Sequence, residues 1–215
     1  VEGAARVVAT SSQEKAELIR AGISASSIVV RRNGIEPTEF SALPERGRLR
    51  LRLGIEPDER VLLYLSRISP KKNPVMLLRA FAELNLPDTR LVVAGPDENG
   101  YLKQLERLGT SLGLDRKVFF TGPLYGEDKL SALVDSDLFV LPSNNENFGN
   151  VIGEAIAAGT PVVITDQCGI APFVRDRAGL VVPVEQSAIS DAIATLLTDA
   201  EMYKTFTDGC KDVVK

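Results

Sequence analysis

The chain has 215 residues, of which 44% are hydrophobic and 25% are charged, and this composition is typical of a soluble globular protein. Its 25 basic and 29 acidic residues give a net charge of -4, which excludes a broad basic surface for nucleic acid. The chain contains no histidine, which excludes histidine-based triads, histidine general bases and HExxH metal sites.

Short apolar runs alternate with helical patterns along almost the whole chain. The predicted strands are Arg6–Ala9, Ile28–Arg31, Val61–Ser66, Leu91–Ala94, Val118–Thr121, Leu138–Leu141, Pro161–Ile164 and Leu180–Val182. The predicted helices are Gln13–Ala21, Asn73–Leu84, Glu98–Leu112, Asp128–Val134, Asn150–Ala158 and Ala188–Leu197. Short strands rich in valine and leucine suit a parallel sheet covered on both faces, so we predict an α/β fold with a doubly wound, Rossmann-like sheet.

The alternation is interrupted between Glu36 and Arg52, where prolines and several arginines occur. We therefore interpret residues 1–41 as a piece that enters from another domain and residues 42–197 as the compact α/β domain. Residues 198–215 are predicted to form a polar-faced helix that leaves this domain. Because the chain begins at Val1 rather than at methionine, we expect it to be a fragment or a processed product.

In an open parallel sheet, ligands bind beyond the carboxyl ends of the strands, so the loops at those ends are the candidate sites. The loop SRISPKKNP follows the strand Val61–Ser66 and contains Arg67 and Lys72. Arginine binds phosphate through a planar fork and lysine acts as a point charge, so the two cations suit adjacent phosphates. Two solvated surface charges are an equally compatible interpretation.

A second candidate loop, PSNNENFGN, follows the strand Leu138–Leu141 and leads into a helix. A helix N-terminus offers free N–H groups to an anion, and Gly149 leaves the backbone there without a Cβ. Glu146 precedes the helix and Glu154 lies about one turn inside it. Carboxylates accept hydrogen bonds from sugar hydroxyls, so the pattern describes a diphosphate between two hydroxyl-rich groups. Alternatively, the two acids only favour the helix dipole.

These motifs occur together and in a specific order. Arg67 and Lys72 are followed by Glu146 and Glu154, then by EAIAAGTPVV. With RRNGIEPTEF and KVFFTGPLYGEDKLSALVDSDLFVLPS, the set resembles the donor-binding domain of retaining glycosyltransferases of the GT-B fold, family four. The resemblance runs through nearly the whole chain and implies the C-terminal half of a GT-B fold.

The resemblance also implies a role for each matching residue. Arg67 and Lys72 would hold the donor diphosphate, and Glu146 would bind the transferred sugar, which makes these three the candidate catalytic set. Glu154 would bind the ribose hydroxyls. The remaining candidate binding residues are Phe148, Gly149, Asn150 and Val151 for sugar and phosphate, and Gly122 and Leu124 beside the base.

Three further sequence features bear on the type of site: a glycine after a strand, a DxD sequence and the spacing of the glycines. Gly95, after the strand Leu91–Ala94, either lets a ligand approach closely or is a simple turn glycine. Asp135-Ser136-Asp137 spells DxD but precedes a strand, so we interpret it as a helix-to-strand turn rather than a metal site. No two glycines are two positions apart and no Gly-Lys pair occurs, which argues against dinucleotide-binding and P-loop sites.

The function implied by this resemblance is transfer of a hexosyl unit from a UDP-, GDP- or ADP-sugar, with retention of the anomeric configuration and without a metal or other cofactor. The acceptor, a glycan or a lipid-linked molecule, would bind through a missing N-terminal domain, so this chain would bind donor but transfer sugar poorly. A sugar-nucleotide epimerase of the GT-B type and a non-catalytic nucleotide-binding or assembly domain are the alternatives.

The expected location follows from the cysteines and from hydropathy. Cys168 and Cys210 have no CxxC spacing, which favours a reduced, cytoplasmic protein. No apolar run approaches the roughly 20 residues that span a bilayer. Any attachment to the inner membrane would be encoded in the missing domain.

Overall fold

The computed structural model describes residues 5–213, and residues 1–4 and 214–215 of the predicted terminal segments lie outside the described residues. The strands are β1 (Val7–Ala9), β2 (Ile28–Val30), β3 (Arg60–Leu65), β4 (Thr89–Ala94), β5 (Val118–Gly122), β6 (Leu138–Leu141), β7 (Val162–Thr165) and β8 (Gly179–Val182). The helices are α1 (Ser12–Arg20), α2 (Arg48–Leu53), α3 (Pro74–Leu84), α4 (Tyr101–Ser111), α5 (Gly126–Asp135), α6 (Asn150–Ala157), α7 (Ala171–Val174), α8 (Gln186–Thr198) and α9 (Ala200–Val213).

Six of the strands form one parallel sheet in the order β5-β4-β3-β6-β7-β8. Every residue of β6 and β7 is buried, which explains why these strands are continuous apolar runs. Helices α3, α4 and α8 pack together, as do α2, α5 and α6. The right-handed crossovers of parallel sheets place these two groups on opposite faces. The predicted doubly wound α/β fold is therefore confirmed.

The N-terminal part of the described chain forms a second, separate sheet. Strands β1 and β2 pair in parallel and are connected by α1, which contacts β2. This small β-α-β unit falls inside the segment 1–41 that the sequence assigns to another domain. The domain division itself stays a prediction.

The C-terminal helix, α9, packs against two other helices. Helix α9 contacts α6 and α8, and its Phe206 and Cys210 are buried. A Cβ on Gly209 would lie 1.9 Å from the carbonyl oxygen of Arg177, so this glycine permits a close backbone approach. Helix α9 therefore packs on α6 and α8 through a buried side, and the predicted domain boundary at residue 198 stays a prediction.

Two short helices, α2 and α7, are absent from the sequence prediction. The residues of α2, RLRLRL, alternate with a period of two, which is typical of a strand rather than a helix. The α2 N-terminus is capped by a distant side chain: the Asp135 carboxylate accepts from the backbone N–H of Gly47, of Leu49 at 2.6 Å and of Arg50 at 3.2 Å. This helix start depends on a contact that local sequence does not contain.

The remaining aspartate of the DxD sequence is also structural. Asp137 is buried and its carboxylate binds the Arg50 guanidinium at 2.8 Å and accepts from the backbone N–H of Val61, the second residue of β3, also at 2.8 Å. Asp135 ends α5 and Leu138 begins β6, which confirms the interpretation as a helix-to-strand turn. Both carboxylates lie at the amino ends of the strands and not at the predicted ligand edge.

Candidate functional site

The candidate site lies between β3 and β6, where the strand order of the parallel sheet reverses. The chain proceeds outward from β3 through β4 to β5 and then returns to the other side of β3 to form β6. The loops that leave the carboxyl ends of β3 and β6 are therefore neighbours, at the position where open α/β sheets bind ligands. These two loops carry Arg67, Lys72 and Glu146.

Backbone and amide groups hold the two loops together. The N–H of Asn144 donates to the carbonyl oxygen of Lys71 at 2.9 Å. The side-chain amide of Asn73 donates to the Asn144 side chain at 3.1 Å, and the Ser143 hydroxyl donates to the carbonyl of Lys71 at 3.3 Å. Asn73 adopts a left-handed φ of 54°, a conformation that asparagine tolerates better than most residues. The β3 and β6 loops thus form one connected surface.

Lys72 and Glu146 form an ion pair at the centre of this surface. The Lys72 Nζ contacts Glu146 Oε2, and the two side chains are 6% and 19% exposed. Two mostly buried charges of opposite sign compensate for part of each other's loss of hydration. The structure therefore brings together the cation predicted for the diphosphate and the acid predicted for the transferred sugar.

Arg67 lies on the same loop but is more exposed. Its guanidinium is 3.3 Å from the Glu98 carboxylate, and both side chains are largely open to solvent. The Tyr64 hydroxyl donates to the backbone carbonyl of Arg67 at 2.8 Å, and Tyr64 is fully buried. The buried Tyr64 therefore fixes the backbone of Arg67. The Arg67 side chain is exposed, so a ligand could replace Glu98 as its partner.

Gly95 has a different role from either of those proposed from the sequence. Its φ is 145°, and a Cβ at this position would lie 1.8 Å from the carbonyl oxygen of Ser66. The glycine thus allows the loop after β4 to cross directly against the loop after β3. The close approach is between two segments of backbone, and it supports the loop that carries Arg67.

Gly149 precedes the first residue of α6 and has a φ of 98°, where glycine is strongly favoured. A Cβ there would lie 2.5 Å from the Ile152 side chain and 3.3 Å from Cγ of Glu146. The Ile152 N–H donates to the Gly149 carbonyl at 2.9 Å, so among the described residues the N–H groups of Asn150 and Val151 are the ones left for a ligand at this helix start. Phe148 packs against the core, and the Asn150 side chain accepts from Asn33 at 2.9 Å.

Glu154 lies one turn into α6, with Val151 in the turn before it. The Glu154 Oε2 is 3.0 Å from the Nζ of Lys129 on α5, and about a fifth of each side chain is exposed. Gly122 ends β5 with a φ of 71° and has open space around its Cβ position. Leu124 is buried, with 8% of the residue exposed.

The residues on either side of Glu146 are tied to α1. The Asn145 side chain donates to Glu17 at 3.1 Å, and the Asn147 side chain donates to Glu14 at 2.9 Å. The Glu146 backbone itself pairs with the segment after β7, since its N–H donates to the carbonyl of Gln167 at 2.9 Å. The loop that carries Glu146 is therefore held from two directions.

Cys168 lies beside this loop but is poorly suited to nucleophilic chemistry. Its residue forms a parallel bridge with Glu146, and its side chain is buried. Burial raises the pKa of the Cys168 thiol to about 11, so the neutral thiol predominates near neutral pH. We assign this cysteine a packing role.

A cavity of about 560 Å³ lies between the N-terminal β-α-β unit and the α/β domain, and residues of both line it. Thr10, Gln13 and Arg32 line one side, and Phe148 and Cys168 line the other. The cavity adjoins the Glu146 loop, so the two parts of the chain meet next to the predicted sugar position.

The geometry brings the predicted charged residues to one edge of the sheet, but it also pairs each of them with a protein group. Glu98 and Lys129 were not predicted, because their contacts depend on how separate helices are placed. Among residues 5–213 there is no cluster of three or more cysteine, aspartate or glutamate side chains that could hold a metal ion. Within the same residues no helix is both long and apolar enough to cross a bilayer.

Comparison with known sequences gives a family match. The model of the family described as glycosyl transferases group 1 matches residues 45–212. D-inositol 3-phosphate glycosyltransferase of Streptomyces bingchenggensis is 34% identical over 194 residues, which cover 85% of this chain and 43% of that protein. The Nocardia farcinica enzyme of the same name is 35% identical, over 93% of this chain and 46% of its own length. The chain thus spans less than half of each of these relatives.

Comparison with solved structures agrees on the fold. The crystal structure of Anabaena Alr3699/HepE in complex with UDP and glucose has a TM-score of 0.89 and 28% identity, and the match covers 98% of this chain and 58% of that one. The C-terminal domain of the group 1 glycosyl transferase LpcC from Francisella tularensis has a TM-score of 0.75 and 23% identity, over 84% of this chain and 96% of that domain. The second likeness shows the fold alone.

Proposed function

The chain belongs to the glycosyl transferases group 1 family, and from that membership we propose that it binds the nucleotide-sugar donor of a retaining hexosyltransferase. The observation that carries the proposal is the contact between Lys72 and Glu146 at the carboxyl ends of β3 and β6. This contact supports the proposal because it joins a cation that could meet the diphosphate to an acid that could accept from sugar hydroxyls. The N-terminus of α6 begins four residues after Glu146.

The proposed transfer breaks the bond between the anomeric carbon and the diphosphate oxygen and forms a bond from that carbon to an acceptor hydroxyl oxygen, whose proton passes to the departing diphosphate. The electron pair of the broken bond leaves with the diphosphate, so negative charge grows on the leaving group in the transition state. Lys72, Arg67 and the first N–H groups of α6 would stabilise this charge, which is the largest contribution in many enzymes. Because these groups supply positive charge, we propose that the reaction needs no metal ion.

The two acids would bind the two hydroxyl-bearing parts of the donor. Glu146, next to the cation, would accept hydrogen bonds from the transferred hexose. Glu154, one turn into α6 and paired with a residue of α5, would accept from the ribose. The base would then extend toward Gly122 and the backbone of Leu124, at the end of β5.

We propose uracil as the base. HepE from Anabaena, which this chain resembles at 28% identity, has structures in complex with UDP, with UDP and glucose, and with UDP-glucose. The similarity covers 98% of this chain. A UDP-hexose is therefore the donor class to test first, before GDP- and ADP-sugars.

We further propose that acceptor binding needs residues beyond this chain, which spans 43% and 46% of two curated relatives. The 215-residue chain should then bind donor and transfer sugar poorly. Titration calorimetry with UDP, GDP and ADP tests the donor site, and UMP is the matched control because it lacks the second phosphate. We expect UDP to bind most tightly and EDTA to have no effect.

Two results would contradict this proposal. The first is the absence of binding of any nucleoside diphosphate up to about millimolar concentration. The second is equal affinity for UMP and UDP, because a site built around a diphosphate must distinguish them. Loss of UDP binding in EDTA, restored by Mg²⁺, would overturn the metal-independent part alone.

A further inference from the structure

Glu154 is held by Lys129, a residue to which the family resemblance assigns no role. Lys129 is the fourth residue of α5, and its Nζ lies 3.0 Å from Glu154 Oε2. Helix α5 follows the loop that contains Leu124, so Lys129 lies one helical turn beyond the proposed border of the base. The ion pair therefore joins the base side of the proposed donor site to its ribose side.

The ion pair is formed between Lys129 Nζ and Glu154 Oε2. Within the described part of the chain, Glu154 Oε1 accepts no side-chain hydrogen bond. A glutamate side chain has several rotamers, and fixing one of them costs conformational entropy. When that entropy is lost before the ligand arrives, the ligand binds more tightly, because less ordering remains to be done.

We propose that Lys129 is a positioning residue, which orients the Glu154 carboxylate so that its other oxygen accepts from a ribose hydroxyl. This inference rests on the proposed function, since it assumes that the nucleotide of the donor lies at Glu154. Lys129 itself makes no contact with the ligand in this proposal. It controls how strongly the site distinguishes a ribonucleotide from a deoxyribonucleotide.

A purely structural ion pair between α5 and α6 would behave differently. Removing such a pair would change the stability of the chain or lower the affinity for all nucleotides by the same factor. Partly exposed ion pairs contribute little to stability. The diagnostic quantity is therefore the ratio of two affinities, UDP against 2′-deoxy-UDP or 3′-deoxy-UDP, rather than either affinity alone.

The experiment is titration calorimetry of the 215-residue chain and four variants with UDP and both deoxy analogues. The variants are Lys129→Met, Lys129→Arg, Glu154→Gln and Lys204→Met. Lys204 is ion-paired to Asp208 on α9, so it controls for removal of a paired lysine elsewhere. Circular dichroism of each variant checks that it is folded.

We expect the unmodified chain to prefer UDP over the weaker deoxy analogue by about tenfold or more, the effect of losing a hydrogen bond to a charged group. Glu154→Gln and Lys129→Met should both reduce this preference to within about threefold of equality. Lys129→Arg should restore most of it, because arginine keeps the charge, and Lys204→Met should leave it unchanged.

Each of the other outcomes overturns the inference. If Lys129→Met keeps the full preference for UDP, Lys129 does not position Glu154, and the proposed function is unaffected. If the unmodified chain binds UDP but does not discriminate against the deoxy analogues, Glu154 does not contact ribose. If the unmodified chain does not bind UDP, the proposed function fails as well.

Discussion

The ammonium group of Lys72 contacts the carboxylate of Glu146, and both side chains are mostly buried at the carboxyl ends of β3 and β6. The cation proposed for the diphosphate and the acid proposed for the sugar thus neutralise each other in this structure. A donor that binds here must share each charge with its present partner. Substitution of Lys72 should therefore change binding of the diphosphate, and substitution of Glu146 should change binding of the sugar.

Lys72→Met should weaken UDP binding by about 1.5–3 kcal/mol, the usual contribution of a charge-assisted hydrogen bond. The neighbouring substitution Lys71→Met is the matched control, because the Lys71 side chain is exposed. Calorimetry with UDP measures both variants. Equal UDP affinity for Lys72→Met and the unmodified chain would contradict the proposed diphosphate contact.

Glu146→Gln should change the affinity for UDP-glucose and the affinity for UDP in different ways. The substitution keeps the size of the side chain but removes the charge that neutralises Lys72, so UDP should bind at least as tightly as before. UDP-glucose should lose affinity relative to UDP, because the amide accepts fewer hydrogen bonds from hydroxyls than a carboxylate. The measurement is the ratio of the two dissociation constants, and an unchanged ratio would show that Glu146 does not contact the sugar.

Gly95→Ala should destabilise the fold strongly, because its Cβ would lie 1.8 Å from the carbonyl oxygen of Ser66. We expect a loss above about 3 kcal/mol, since overpacking and backbone strain combine at this position. Gly122→Ala, at the end of the neighbouring strand, should cost only about 1–2 kcal/mol, since strain remains but the space is open. Urea unfolding measures both, and similar losses would show that the crossing of the two loops can relax.

Asp137→Asn should destabilise the chain without affecting nucleotide binding. It leaves the buried guanidinium of Arg50 without its charged partner, and breaking a buried ion pair costs about 3–5 kcal/mol. Asp208→Asn, at an exposed carboxylate paired with two lysines, is the control and should have a much smaller effect. Retention of full thermal stability by Asp137→Asn would contradict the structural role of the DxD sequence.

The two cysteines should react slowly with alkylating reagents at pH 8. Burial raises the pKa of the Cys168 thiol to about 11 and that of Cys210 to about 12, so the reactive thiolate is scarce in the folded chain. The neutral thiols favour the folded state below their unfolded pKa of about 9, and this contribution is lost as pH rises toward the folded values.

Mass spectrometry after iodoacetamide treatment measures this reactivity, and the denatured chain is the control in which both thiols should react quickly. The same reasoning predicts that thermal stability falls between about pH 9 and pH 12. Rapid modification of Cys168 in the folded chain would show that it is accessible.

Strands β6 and β7 were predictable because each is a buried, largely apolar run. Strand β6 was predicted with its observed bounds, and the loops after β3 and β6 were identified because parallel strands expose their carboxyl ends at one edge. Helix α2 was missed since its start depends on Asp135, which lies far away in the sequence. Such a cap is set by tertiary contacts and leaves no local pattern.

The candidate site was predictable only in part, for a related reason. Arg67, Lys72, Glu146 and Glu154 lie in loops or near the start of a helix, and the positions of these segments follow from the strand order. Their protein partners do not follow from it. The pairing of Glu154 with Lys129 requires the relative position of α5 and α6, and the tight crossing at Gly95 requires the separation of two backbones.

The attachment of the Glu146 loop to α1 determines where the chain can be truncated without loss of the loop's support. Asn145 and Asn147 are anchored to Glu17 and Glu14, which precede the family match beginning at residue 45. A shortened version that starts at the family boundary would keep every proposed ligand-binding side chain and yet lose the anchors on both sides of Glu146. Sugar recognition should deteriorate in that version while the sheet beneath it stays folded.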